Sequence, residues 1–67
     1  MPFVNIQLVE GHDQHRKDEI AKRVAAAIND VTQIPLEAIW VVFEDVAADD
    51  WYVAGQSVAA RRQAASK

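Results

Sequence analysis

Apolar and polar residues alternate with a period of two from Phe3 to Val9, with Val4, Ile6 and Leu8 on one side and Asn5 and Gln7 on the other. Successive side chains of a strand point to opposite faces, so this segment predicts a half-buried β-strand that ends at Glu10-Gly11. From Asp13 to about Thr32 the period lengthens. Ile20, Val24, Ala27, Ile28 and Val31 recur three and four apart and line one side of an α-helix, while the acid-first pairs Asp18 with Lys22 and Glu19 with Arg23 fall on the solvated side. Asp13 is the expected N-cap, its carboxylate accepting a free backbone N–H; Arg16 stands where a capping box would carry an acid or amide. Pro35 disfavours helical backbone at Ile34, so Gln33 to Glu37 reads as a connecting loop. Ile39 to Val46 then carries Ile39, Val41 and Phe43 on one face and Trp40 and Val42 on the other, a strand expected to be buried on both faces, one against the helix and the other against a different subunit.

A strand, a helix of about five turns and a second strand predict a right-handed βαβ unit with parallel strands. After Asp49-Asp50, the stretch Trp51 to Gly55 predicts a short hairpin or edge strand. Arg61 to Lys67 is polar and Ala-rich and is expected to have no fixed structure, residues 58–67 forming a flexible or interface tail. The expected fold class is therefore α/β (α+β): one domain over residues 1–67, with a single βαβ unit and a short C-terminal hairpin. No repeat and no linker interrupts it.

Composition changes this picture in one respect. A chain of 67 residues with 51% hydrophobic residues has more apolar surface than one helix and two or three strands can hide, and without Cys it has no disulfide to compensate. A homo-oligomer held by apolar faces is expected. Seven basic against ten acidic residues give a net charge of −3 with no basic stripe, so nucleic acid is not an expected partner. No apolar run approaches the roughly 20 residues of a membrane span, and no signal peptide is recognisable. Neither a membrane partner nor secretion is expected, which leaves a cytoplasmic location. His12 and His15 with Asp13 or Asp18 lack a third ligand at metal-binding spacing, so no metal is expected. Nor is there a Ser-His or Cys-His nucleophile pair or a phosphate-cradling loop, and no cofactor is implied.

The candidate chemistry lies at the start of the chain. A proline in second position suits the first residue of a strand and has by itself no further meaning. Here it opens a chain that also carries Leu8-Val9-Glu10-Gly11, the helix with Ile20, Val24 and Ile28, Pro35-Leu36, the strand Trp40-Val41-Val42-Phe43-Glu44, and Trp51 followed by Gly55. In order and length these elements resemble the 4-oxalocrotonate tautomerase family, over nearly the whole chain up to about Ser57. The resemblance implies that Pro2, made N-terminal by removal of Met1, is a general base; that Trp51 lines the pocket; and that the chain assembles as a hexamer, a trimer of dimers. It also exposes a departure. Where the best-known members carry two carboxylate-gripping arginines, this sequence has His12 and Trp40. A protonated His12 can donate to a carboxylate and Trp40 can stack on an unsaturated or aryl group; the plainer readings are an exposed loop histidine and, favoured for Trp40, a buried interface aromatic. Arg16, Arg61 and Arg62 are the candidates to replace the missing charge.

A free N-terminal proline is a secondary amine, and apolar neighbours such as Phe3, Trp40, Trp51 and Tyr52 disfavour its charged form, which lowers its pKa. With Met1 attached, the same nitrogen is an amide and is not basic. The expected function is a keto–enol tautomerase acting on a small unsaturated or aryl α-keto acid, with Pro2 catalytic and His12, Trp40 and Trp51 binding substrate. Two alternatives stand beside it. One is a hydration, dehalogenation or decarboxylation in which protonated Pro2 is the acid and Glu44 or Asp45 activates water. The other is a non-catalytic, oligomer-forming subunit.

Overall fold

The computed structural model describes residues 1–65. β1 (Phe3–Val9) and β2 (Trp40–Val46) form a two-stranded parallel sheet in which Phe3 faces Trp40 and Val9 faces Val46. The ladder extends beyond both strands: the Trp40 N–H donates to the Pro2 carbonyl at 3.0 Å, and the Glu10 N–H donates to the Val46 carbonyl at 2.8 Å. Val4, Ile6, Leu8, Val41 and Phe43 share the half-buried side of this sheet, which α1 (Gln14–Thr32) covers.

α1 begins as its sequence predicts, with the Arg16 N–H donating to Asp13 Oδ1 at 2.9 Å. It ends at Gln33, in the left-handed region with φ 64°, whose N–H returns to the Asn29 carbonyl; Asn29 Nδ2 donates to the Ile34 carbonyl just before Pro35. Lys17 Nζ, on the same helix, reaches Asp45 Oδ2 at 2.6 Å and ties α1 to β2.

The structure departs from the expected pattern in three places. Two strands are too narrow to cover the whole apolar stripe of α1. Lys17, Ile20, Ala21, Val24, Ala25 and Ile28 are half-buried, whereas Ala27 and Val31, the latter 81% exposed, stay outside. β2 starts at Trp40 and not at Ile39, because Ile39 donates its N–H to the Leu36 carbonyl and closes a turn of 3₁₀ helix over Leu36–Ala38. At 8% exposure Ile39, which closes that turn, is the one buried hydrophobic residue among those described. As expected of a strand whose second face needs another subunit, β2 is covered on one face only within a single chain: Trp40 is 53% exposed and its partner Phe3 61%. Finally, the tail expected to lack structure forms α2 (Val58–Ala65), the remainder of that tail lying outside the described residues. Ser57 Oγ accepts the Ala60 N–H at 3.1 Å as an N-cap, the Val58 N–H donates to the Trp51 carbonyl at 2.7 Å, and four alanines favour the helix.

The hairpin is present. β3 (Tyr52–Val53) pairs antiparallel with β4 (Gln56–Ser57) across Ala54-Gly55, whose φ angles of 53° and 80° belong to the two-residue turn that matches strand twist. The left-handed region costs a residue with a Cβ roughly 1–2 kcal/mol, less for Asn. Ala54→Asn is therefore expected to stabilise the protein by about 0.5–1 kcal/mol, read as a rise in Tm in thermal unfolding; an unchanged or lower Tm would count against a strained turn.

One chain does not close on itself. Its radius of gyration of 15.5 Å exceeds the roughly 11 Å of a compact domain of this length. Its accessible surface of 5073 Å² exceeds the roughly 4,200 Å² of a compact monomer of its mass. No helix among the described residues is long and apolar enough to cross a membrane.

Candidate active site

Pro2 sits at the mouth of the parallel sheet. It lacks an N–H, so its place just ahead of β1 sacrifices no ladder bond, while its carbonyl is held by the Trp40 N–H. The register therefore fixes the neighbourhood of Pro2: Phe3 and Trp40 are cross-strand partners on the open face next to it, and Ile39, just before Trp40, is buried. Met1 is exposed and Pro2 half-buried.

The other two sequence-derived site residues lie elsewhere. His12 follows the end of β1, so the strand separates it from Pro2 by roughly 25 Å at about 3.3 Å per residue. Trp51 follows β2 and a turn of 3₁₀ helix at Ala48–Asp50, again at the end of the sheet opposite Pro2; it is half-buried against the start of α2. Of the four residues, one chain brings together Pro2 and Trp40. His12 and Trp51 lie beyond the far end of the sheet and cannot reach the same small molecule unless a second copy supplies them.

The far end holds two open concavities. His12, His15, Arg16, Glu19, Ile20 and Arg23 line one of about 500 Å³, and Gln56, Val58, Arg61, Arg62, Ala64 and Ala65 line the other, of about 640 Å³. The spacing of His12 and Arg16, four residues apart, is the sequence signal for the first. The second depends on α2, which the sequence pattern did not predict.

The carboxylates invoked for water activation are engaged. Glu44 Oε1 accepts Asn5 Nδ2 at 2.7 Å on the open face, and Asp45 is paired to Lys17 on the helix side. They point to opposite faces of β2 and do not act as a pair. Asp13 caps α1 and Asp18 accepts from Gln14 Nε2 at 2.9 Å. Among the described residues no three His, Asp or Glu side chains converge as metal ligands would.

Comparison with known proteins gives this arrangement a family. The family model described as tautomerase enzyme matches residues 2–61. A probable tautomerase of Streptococcus thermophilus is 38% identical over 56 residues, covering 84% of this chain and 92% of the relative. Among solved structures, TomN, a 4-oxalocrotonate tautomerase homologue in the tomaymycin biosynthetic pathway, superposes with a TM-score of 0.90 at 31% identity, covering 92% of this chain and 95% of its own. A heterohexamer 4-oxalocrotonate tautomerase from Chloroflexus aurantiacus superposes at 0.84 with 29% identity, covering 88% and 95%. With its βαβ unit, its proline at the sheet mouth and these matches along most of its length, the chain belongs to the tautomerase family.

Proposed function

We propose that this chain catalyses keto–enol proton transfer on a small unsaturated or aryl α-keto acid, with Pro2 as the base once Met1 has been removed. The observation that carries the reading is the placement of Pro2 at an open sheet end beside Phe3 and Trp40. The freed ring nitrogen removes a proton from the enol hydroxyl of the substrate, and the resulting ammonium returns it to the enol carbon. Apolar neighbours disfavour the ammonium and so keep the amine unprotonated and free to accept a proton. Trp40 presents an aromatic face next to that nitrogen, which favours an aryl or conjugated substituent.

The working unit is a homo-oligomer, a hexamer by analogy with the relative named as a heterohexamer. The support lies in the elongated chain, the single buried hydrophobic residue among those described and the open apolar face. A particle of six times the 7.5 kDa chain mass is expected in sedimentation equilibrium.

The test begins with intact mass, to confirm that Met1 is absent. The protein is then offered phenylenolpyruvate and an aliphatic enol acid, and ketonisation is followed by absorbance. Turnover with the aryl acid preferred is the expected result. If processed, assembled protein turns over neither acid, the proposal fails in favour of a non-catalytic, assembly-forming subunit.

A further inference from the structure

The surroundings of Pro2 within its own chain are apolar and carry charge of one sign. Between Arg23 and Arg61 the sequence holds six acids, Asp30, Glu37, Glu44, Asp45, Asp49 and Asp50, and no Lys, Arg or His. Two of the six belong to the Pro2 end of the sheet. α1 runs back from the far end to the start of β2, so Asp30 in its last turn lies towards the end where the Trp40 N–H meets the Pro2 carbonyl. Glu37 stands in the 3₁₀ turn three residues ahead of Trp40, which keeps its Cα within roughly 11 Å of the Trp40 Cα. Both acids are exposed, and neither forms an ion pair among the described residues, where Lys17 pairs with Asp45 and Arg23 with Glu19. The backbone adds to the same sign, because the last turn of α1 has no basic residue to offset its partial negative charge.

This end of the sheet also presents exposed apolar side chains. Phe3, Leu36 and Trp40 are each more than half exposed in the single chain. Leu36 accepts the Ile39 N–H with its carbonyl and so is held at the start of β2. The Lys and Arg residues stand on the first half of α1 and beyond β4, segments that begin at the opposite end of the sheet. A carboxylate laid over Leu36 and Trp40 therefore gives up water, gains no cation from these segments and is repelled by Glu37 and Asp30; an uncharged apolar group meets none of these penalties.

We propose that the Pro2 end of the sheet selects an enol acid whose substituent is uncharged and apolar, and that Glu37 rejects a substituent carrying a second carboxylate. The inference rests on the proton-transfer reading above and narrows its substrate class to monocarboxylates.

The test compares three enols of one shape: phenylenolpyruvate and its ring-substituted forms with a para-carboxamide or a para-carboxylate. The two substituents are nearly equal in size and differ in charge. At low ionic strength the parent protein is expected to show a kcat/KM about 10–100-fold lower for the carboxylate than for the carboxamide. Added salt narrows the gap, since exposed charges are screened. Glu37→Gln is expected to narrow it about threefold and Glu37→Lys about tenfold, with kcat/KM for phenylenolpyruvate unchanged. Sedimentation and circular dichroism confirm assembly and fold of each variant. Equal kcat/KM for carboxylate and carboxamide in the parent protein overturns the selection, whether both are turned over well or both poorly, the latter making size the cause. A gap that both variants leave unchanged overturns the role of Glu37. A parent protein that turns over none of the three enols removes the proton-transfer reading itself.

Discussion

Pro2→Ala is expected to lower kcat/KM for enol ketonisation by about 10²–10⁴-fold, the range that a positioned proton-transfer group supplies. Assembly should be unaffected, because the structural bond of Pro2 is made by its carbonyl, which alanine retains. A companion protein with Met1 retained tests the same point from another side. There the ring stays and only the basicity is lost, so activity should fall at least as far. The pH profile gives the sign: a protonated nitrogen has no lone pair, so kcat/KM should fall as pH drops through the pKa of the amine, and this limb should be absent from the Met1-retained form. Parent-like activity in either variant would remove Pro2 from the mechanism.

Val42→Asp is expected to have the largest structural effect. Val42 lies on the open side of β2 between Trp40 and Glu44 and faces Asn5 across the ladder. If a second copy covers that side, the new carboxylate loses its water without gaining a cation, at a cost of several kcal/mol against a typical stability of about 5–15 kcal/mol. The assembly should come apart to chain-mass species and the cooperative thermal transition should be lost. Sedimentation equilibrium and circular dichroism read both. Unaltered size and melting would mean that this face of the sheet is solvated in the working protein.

The strands, the helix and the hairpin were legible because each is encoded locally. A period of two, a period near 3.6, Asp13 ahead of the helix and Gly55 in a tight turn each act through nearest neighbours. What was not legible depends on partners distant in sequence. The shift of the β2 start to Trp40 follows from the closure of a 3₁₀ turn on Leu36, and α2 follows from Ser57 and Trp51 supplying caps to a segment whose own pattern is only Ala-rich. Both faces of β2 read as apolar, and a lone helix can cover only one of them, so the exposure of Trp40 and Val42 in a single chain was legible as well.

The site divides along the same line. Pro2 and Trp40 meet because a parallel register sets the two strand starts side by side. His12 and Trp51 each follow a strand, and in a parallel pair whatever follows a strand lies at the end opposite to whatever precedes it. Their separation from Pro2 was therefore implicit in the βαβ connection, and a list of matching positions conceals it.

With Ile39 the one buried hydrophobic residue described, a lone chain has little interior to hold it folded. In the proposed oligomer the native state would draw on contacts whose number depends on how many chains are nearby, so dilution would act on this protein as a mild denaturant. Specific activity would decline at low enzyme concentration with every chain chemically intact, and any comparison of variants has to be made at matched concentration.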